Sequence, residues 1–412
     1  MPHNARPAGR LVPRIVFWGL VALIVSIVYQ NFLSNILFVV FGIGRRIQTI
    51  DEFSWTCTRL YHPLLEGCED MWLDHQGRKL YGACTTLTSR QGWNPSGNKY
   101  NVSARSRTDH IAVLDIDHPG SDGLYGLRAL ELRGFHGDLD LQGFDVQRIE
   151  DTLRFWLINH RPPIDHFTGA FLDPTTVGAN STVEVFDLAK GSETLEHVKT
   201  IHSDVIISPN SLAVDKDGTG VVITNDHNAK VGAFRDLEML YRSGTLAYCQ
   251  LDSGECHMAA TKGLAFANGI ASDQNGLFYV AHSLTGAVTV HRLQDGQLIQ
   301  IDSIPLGYPI DNISLDADGN LIAAALPDFI GFVKASEDPY DAVAPATVLS
   351  IDGIVGQVRS RESDYKISKV VEDSDAKVLP SISTALHDVE SQRLFLGGVF
   401  SPFIGICERM VS

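Results

Sequence analysis

The sequence predicts an all-β chain, a six-bladed β-propeller preceded by an N-terminal transmembrane or signal-anchor helix. Three observations predict it: a strand–turn–strand phrase that recurs six times, a polar residue in the same place in each copy, and two cysteines at the ends of the repeated region. The clearest copy is Asp311-Asn312-Ile313-Ser314-Leu315-Asp316 with Gly319, followed by the apolar run Leu321–Ala325. The others start at Glu69, Asn210 and Asn268, with weaker copies at Gln142 and Ser383. Repeats of roughly 40–70 residues that each hold a strand pair read as propeller blades. If each phrase begins an inner strand, Glu69, Gln142, Asn210, Asn268, Asp311 and Ser383 converge on one axle. Four of these six are Asp, Glu or Asn and none is a thiol. Oxygen donors alone favour a hard cation, Ca²⁺ before Zn²⁺.

Before the repeats lies an apolar stretch. Residues 1–14 read as a polar tail with Arg6, Arg10 and Arg14, 15–43 as a hydrophobic anchor or signal, 44–56 as a stem, and 57–412 as the propeller. About 20 apolar residues span a bilayer, so 15–43 is long enough, and it exceeds the usual apolar core of a cleaved signal. A formal net charge of −16 over 412 residues excludes nucleic acid as the expected partner. Sequons at Asn101 and Asn180 agree with passage through the secretory pathway, and a third at Asn312 lies inside the candidate site and is expected bare. Cys57 and Cys407 stand where the first and last blades must meet, so a bridge between them would staple the ring. Cys249 and Cys256 flank a hairpin-like turn and offer a second pair. Cys68 and Cys84 are left paired or free.

Between the repeats, 85–110, 160–180, 335–347 and 359–377 read as loops, and Phe234–Tyr241 as a short helix able to cover the site or to pack on a blade. The phrase Thr224-Asn225-Asp226-His227 ends a strand near the axle, so Asn225 and Asp226 are candidates for the same cluster. As isolated dipeptides these are turn signals, and only repetition in one register raises them above that.

Gly67-Cys68-Glu69-Asp70, Ile158-Asn159-His160, Ser181–Phe186, Thr224–His227, Phe266-Ala267-Asn268-Gly269-Ile270, Asp311–Ser314 and the terminal cysteines together resemble the serum paraoxonase/arylesterase family over about residues 53–408. The resemblance implies a propeller with two calcium ions. Glu69, Asn225, Asn268, Asp311 and Asn312 would hold the catalytic ion; Asp70, Asp226 and the Phe144 carbonyl would hold the structural one. It further implies hydrolysis of lactones or aryl esters, with a small hydrophobic ester or lactone as substrate and a membrane contact through the N-terminal segment. Ca²⁺ polarises a carbonyl and offsets the negative charge formed when water attacks, which agrees with the donor types.

Two departures qualify the reading. The family activates water with a pair of histidines; the second matches His160, but the first falls on Gln142. Glutamine takes no proton at neutral pH. Either His160 acts alone or through water, or His136 substitutes, or the site runs a non-hydrolytic cyclisation or isomerisation; a membrane-tethered scaffold without catalysis is the remaining alternative. Leu326-Pro327 stands where the family tends to place a wall histidine, which implies a shifted substrate preference.

Overall fold

The computed structural model describes residues 11–165, 167–238, 242–356, 365–379 and 381–410. Its sheets form six blades. Five run outward from the axle: Asp70–Asp74 to Arg128–Ala129, Leu141–Ile149 to Thr194–Ile201 with the earlier Glu131–Arg133 added in parallel as its outer strand, Pro209–Val214 to Cys256–Leu264, Ala267–Ser272 to Gln297–Pro305, and Ile310–Leu315 to Ile367–Asp373. The sixth is shared between the chain ends, in the order Trp55–Tyr61, Phe403–Arg409, Arg393–Gly397, Thr384–Asp388. The earliest strand is thus the outer edge of the last blade, and the ring closes by antiparallel pairing of Cys57 with Cys407. A disulfide joins those two across 350 residues. Bridges also join Cys249 to Cys256 and Cys68 to Cys84, leaving no free cysteine among the described residues.

Alternating side chains make these blades possible. Strand residues point to opposite faces with period two, so each sheet offers an apolar face to both neighbours. The core between blades four and five holds Tyr279, Val288, Ile304, Ile310, Ala323 and Leu349. That between blades one and two holds Tyr81, Val113, Phe144, Phe155, Leu157 and Phe186. Such wedges, repeated around the ring, leave the polar inner-strand starts facing one another.

At the axle the backbones approach so closely that two positions need glycine. A Cβ on Gly269 would lie 2.5 Å from the Asn312 Cα, and one on Gly143 would lie 2.7 Å from the Asn210 carbonyl oxygen. These glycines follow Asn268 and Gln142, so the contact fixes the height of the polar ring.

Several readings of the sequence are corrected. The segment 359–377 contains the strand Ile367–Asp373, whose alternation the charged residues obscure; 357–364 lies outside the described residues. The stretch 85–110 folds as a helix, Leu87–Gly92, and a small hairpin pairing Trp93 with Tyr100. Phe329–Glu337 adds a helix before the loop that reaches 345. Only Arg235–Glu238 of the expected 234–241 helix is helical, and 239–241 lies outside the described residues. The apolar N-terminus is helical over Leu11–Val28 and continues in wider turns over Tyr29–Leu33 and Asn35–Val40. Among the described residues, no helix is long and apolar enough to cross a membrane. The irregular turns interrupt the run, and its end packs on the propeller: Val39 and Val40 are buried, while Arg45 donates to the carbonyls of Val39, Gly307 and Pro327 at 2.7 Å each and lies over the Tyr308 ring.

Candidate metal and ester site

Every inner strand contributes its second residue or the one preceding the strand to one buried cluster. Glu69, Gln142, Asn210, Asn268, Asp311 and Ser383 stand at the starts of the six inner strands, and each is less than a tenth exposed. The Asn312 amide donates to Glu69 Oε1 at 3.0 Å and to the Glu69 carbonyl at 3.2 Å; Ser383 Oγ donates to that same carbonyl at 2.7 Å. The Asn268 amide donates to Ser283 Oγ at 3.1 Å.

Four oxygens in this cluster are buried without a partner: Glu69 Oε2 and the Oδ1 atoms of Asn210, Asn268 and Asn312. Buried acceptors are normally paired, and an orphan costs about 1–3 kcal/mol. Four on separate blades, beside two carboxylates, fit a hard divalent cation. Burial pushes the Glu69 carboxyl up to about 7, aided by the negative charge of Asp311; burial likewise pushes Asp311 up to about 7. Such a carboxylate pair needs countercharge near neutrality. Among the described residues no three His, Cys, Asp or Glu side chains gather as a metal cluster. The donor set is instead rich in neutral amides, as suits calcium better than zinc.

The sequence-derived residues divide into groups. Glu69, Asn268, Asp311 and Asn312 come together at the axle. Asn225 is hydrogen-bonded to its own surroundings: its Oδ1 accepts from the amides of Ile207 (2.9 Å) and Ser208 (3.1 Å), and its Nδ2 donates to Val205 and Thr245. Asn210 offers its free oxygen instead. Asp226 is also engaged elsewhere, accepting from Ser208 Oγ at 2.5 Å and from His227 Nδ1 at 2.7 Å, with Arg235 at 3.7 Å. Burial would raise its pKa, but His227, Arg235 and Ser208 together hold it at about 2. Asp70 and Phe144 do meet: the Phe144 amide donates to Asp70 Oδ2 at 3.1 Å. Both line a cavity of about 500 Å³ that also touches Ser211 and Asn312. Burial, and then the charge of Glu69, raise Asp70 well above the usual carboxylate range.

His160 lies at the end of its strand, 2% exposed, with Nδ1 2.8 Å from Ser181 Oγ and Nε2 buried without a partner. Burial lowers its pKa to about 3. His136 is exposed, on the segment between Glu131–Arg133 and Leu141–Ile149. Gln142 is held by an unforeseen neighbour: Arg90 Nη1 donates to Gln142 Oε1 at 3.0 Å and to the Leu141 carbonyl at 2.8 Å. A buried guanidinium therefore stands beside the position of the expected first histidine. Nothing in the polar, Gly-rich 85–110 stretch marked it, because a helix there had to fold over the ring first.

A propeller whose blades donate oxygens to a buried axial site is one well-defined class of protein. The model of the arylesterase family matches residues 175–403, more than half the chain, and the chain belongs to that family. It is 28% identical to serum paraoxonase/arylesterase 2 of Gallus gallus over 324 residues, covering 74% of this chain and 81% of that one. It is 29% identical to serum paraoxonase/arylesterase 1 of Mus musculus over 308 residues, covering 70% and 77%. Among solved structures, a gluconolactonase from Xanthomonas campestris aligns over 88% of this chain and 94% of its own, with 15% identity and a TM-score of 0.47.

Proposed function

We propose that the protein is a calcium-dependent hydrolase of lactones or aryl esters. The observation that carries this reading is the set of unpartnered, buried oxygens on Glu69, Asn210, Asn268 and Asn312 beside Asp311. Those five residues would hold a catalytic Ca²⁺, and Asp70 with the Phe144 carbonyl would contribute to a structural one. Calcium, when bound, supplies polarisation of the ester carbonyl and offsets charge on its oxygen. The chain's own residues do the rest. Asn312 orients the Glu69 carboxylate, the close contacts at Gly143 and Gly269 hold the ring in register, and a histidine accepts the proton of the attacking water. Burial of the whole cluster strengthens each of these interactions by lowering the local dielectric.

Gln142 keeps a second reading in view, a propeller whose site performs a non-hydrolytic cyclisation or isomerisation, or only locks the ring. A hydrolysis screen of the full-length protein separates them, using phenyl acetate and lactones of graded chain length with calcium and with chelator. Chelator-sensitive cleavage supports the hydrolase; a calcium-raised melting temperature with no turnover of any ester selects the second reading.

Three disulfides fit folding in an oxidising compartment. We also infer that residues 15–43 associate with membrane, supported by the exposed apolar side chains from Val16 to Phe38. Release of the protein from membranes by high salt alone would count against that.

A further inference from the structure

We propose that Arg90 locks Gln142 with its amide N–H groups toward the axial cluster, so that Gln142 is a hydrogen-bond donor to the carbonyl oxygen of a bound ester or lactone. This rests on the hydrolase reading above and gives a task to the ring position that cannot serve as its base. A guanidinium only donates, so the Gln142 oxygen must face Arg90, whose Nη1 donates to Gln142 Oε1 at 3.0 Å. That oxygen is therefore not offered to a cation, and the nitrogen end is left for the ring. There it meets Glu69. Burial and the charge of Asp311 raise the Glu69 carboxyl, whereas Arg90, Asn312 and Gln142 pull it back down, Gln142 as a hydrogen-bond donor. Gln142 is 4% exposed and Arg90 3%.

Arg90 has little freedom to turn away. Its Nη1 also donates to the Leu141 carbonyl at 2.8 Å, and its Nη2 to the Gly67 carbonyl at 3.4 Å, two residues before Glu69. The helix Leu87–Gly92 that carries it is pinned along its length. Ser89 Oγ accepts from the Ser106 amide at 3.0 Å, Gln91 Nε2 donates to the Glu337 carbonyl at 2.8 Å, and Trp93 Nε1 donates to the His160 carbonyl at 2.7 Å. A donor held in place beforehand needs no reorganisation as charge develops, and burial strengthens it. As water adds to the carbonyl carbon, the π pair moves to the oxygen that Gln142 holds, and one water proton passes to the histidine of the hydrolase reading. Collapse re-forms the carbonyl, breaks the bond to the leaving alkoxide and returns the proton to it. Ester plus water gives acid plus alcohol, and Gln142 exchanges no proton.

Gln142→Leu removes the donor, and Gln142→Glu replaces it by an acceptor that Arg90 still grips. Arg90→Met frees the amide to turn, and Arg90→Lys keeps one donor to Oε1. Steady-state hydrolysis of phenyl acetate and a lactone by the full-length protein is measured, with melting temperatures in calcium and in chelator alongside. Expected for both Gln142 variants is a loss of about 100-fold or more in kcat, with KM within about threefold and the calcium-induced rise in melting temperature retained. Arg90→Met should lose about tenfold or more in kcat and Arg90→Lys less. In the Gln142→Leu background Arg90→Met should cost nothing further, because the guanidinium acts through the amide. Either Gln142 variant keeping kcat within about threefold of an active wild type overturns the donor role alone. Loss of the calcium response in both Gln142 variants overturns it in favour of a part in the metal site. Additive losses from Arg90→Met and Gln142→Leu overturn the lock. A wild type inert toward every ester and lactone overturns the hydrolase reading and this assignment with it.

Discussion

Replacing Asp311 by Asn should make the calcium-free protein more stable and at the same time remove its response to calcium. Asp311 is 8% exposed and its carboxyl is pushed up from 3.8 to about 7 by burial. Raised by about three pH units, at 1.36 kcal/mol each, it penalises the folded calcium-free state by about 4 kcal/mol above neutrality. Because Asp311 and Glu69 share their repulsion, about 3 kcal/mol is the better figure for one substitution. The sign follows from a raised folded pKa: stability is fully present below the unfolded value near 4 and is lost as pH rises through about 7. The gain of Asp311→Asn therefore grows between pH 4 and 7 and levels off above. With unfolding entropy of about 2 cal/mol/K per residue, a chain of this size gains about 4 °C in Tm at pH 8. The assay is thermal unfolding in chelator and in millimolar calcium, from pH 5 to 8. Wild type should rise with calcium by the amount mass action allows, about 3 kcal/mol at a hundred times Kd, and the variant should not. A lower Tm of Asp311→Asn in chelator, or a calcium response equal to wild type, would refute the placement of this carboxylate at a cation site.

Three further outcomes rest on single contacts. Gly269→Ala places a Cβ 2.5 Å from the Asn312 backbone and should lower stability by about 2–4 kcal/mol and weaken calcium binding, read by denaturant unfolding and calcium titration. Replacing Cys57 and Cys407 by Ser opens a closure spanning 350 residues, which on the loop-entropy account costs about 6 kcal/mol, read as a fall in unfolding midpoint without change in the remaining two bridges. Arg78 grips the Asp388 carboxylate with two hydrogen bonds of 2.9 and 2.7 Å, and burial's upward push is overcome, leaving the carboxyl at about 2. A depressed pKa gives stability present above about pH 4 and lost as pH falls through about 2, so Arg78→Ala should destabilise at pH 7 and much less near pH 2 in an acid-unfolding series.

The sequence alone determined the repeat and its register. Glu69, Gln142, Asn210, Asn268, Asp311 and Ser383 could be aligned because the inner strand, its turn and the next strand recur with the same alternation, and period-two patterning survives translation into structure. The pairing of Cys57 with Cys407 was legible for a related reason: a ring has one seam, and the chain ends must lie there. The hydrogen bonds of individual side chains were not legible. Asn225 and Asn210 stand on the two strands at the open end of one hairpin, and only the folded sheet shows that Asn225 spends its amide on the Ile207 and Ser208 backbone while Asn210 Oδ1 remains free. Arg90 reaches Gln142 across 52 residues of chain, and Asp226 finds Ser208 and Arg235 on either side of its own strand. Local patterning fixes which side of a strand a residue faces, because that depends on the backbone period. Which hydrogen bond its polar atoms finally make depends on loops packed from other blades, and tertiary structure alone decides that.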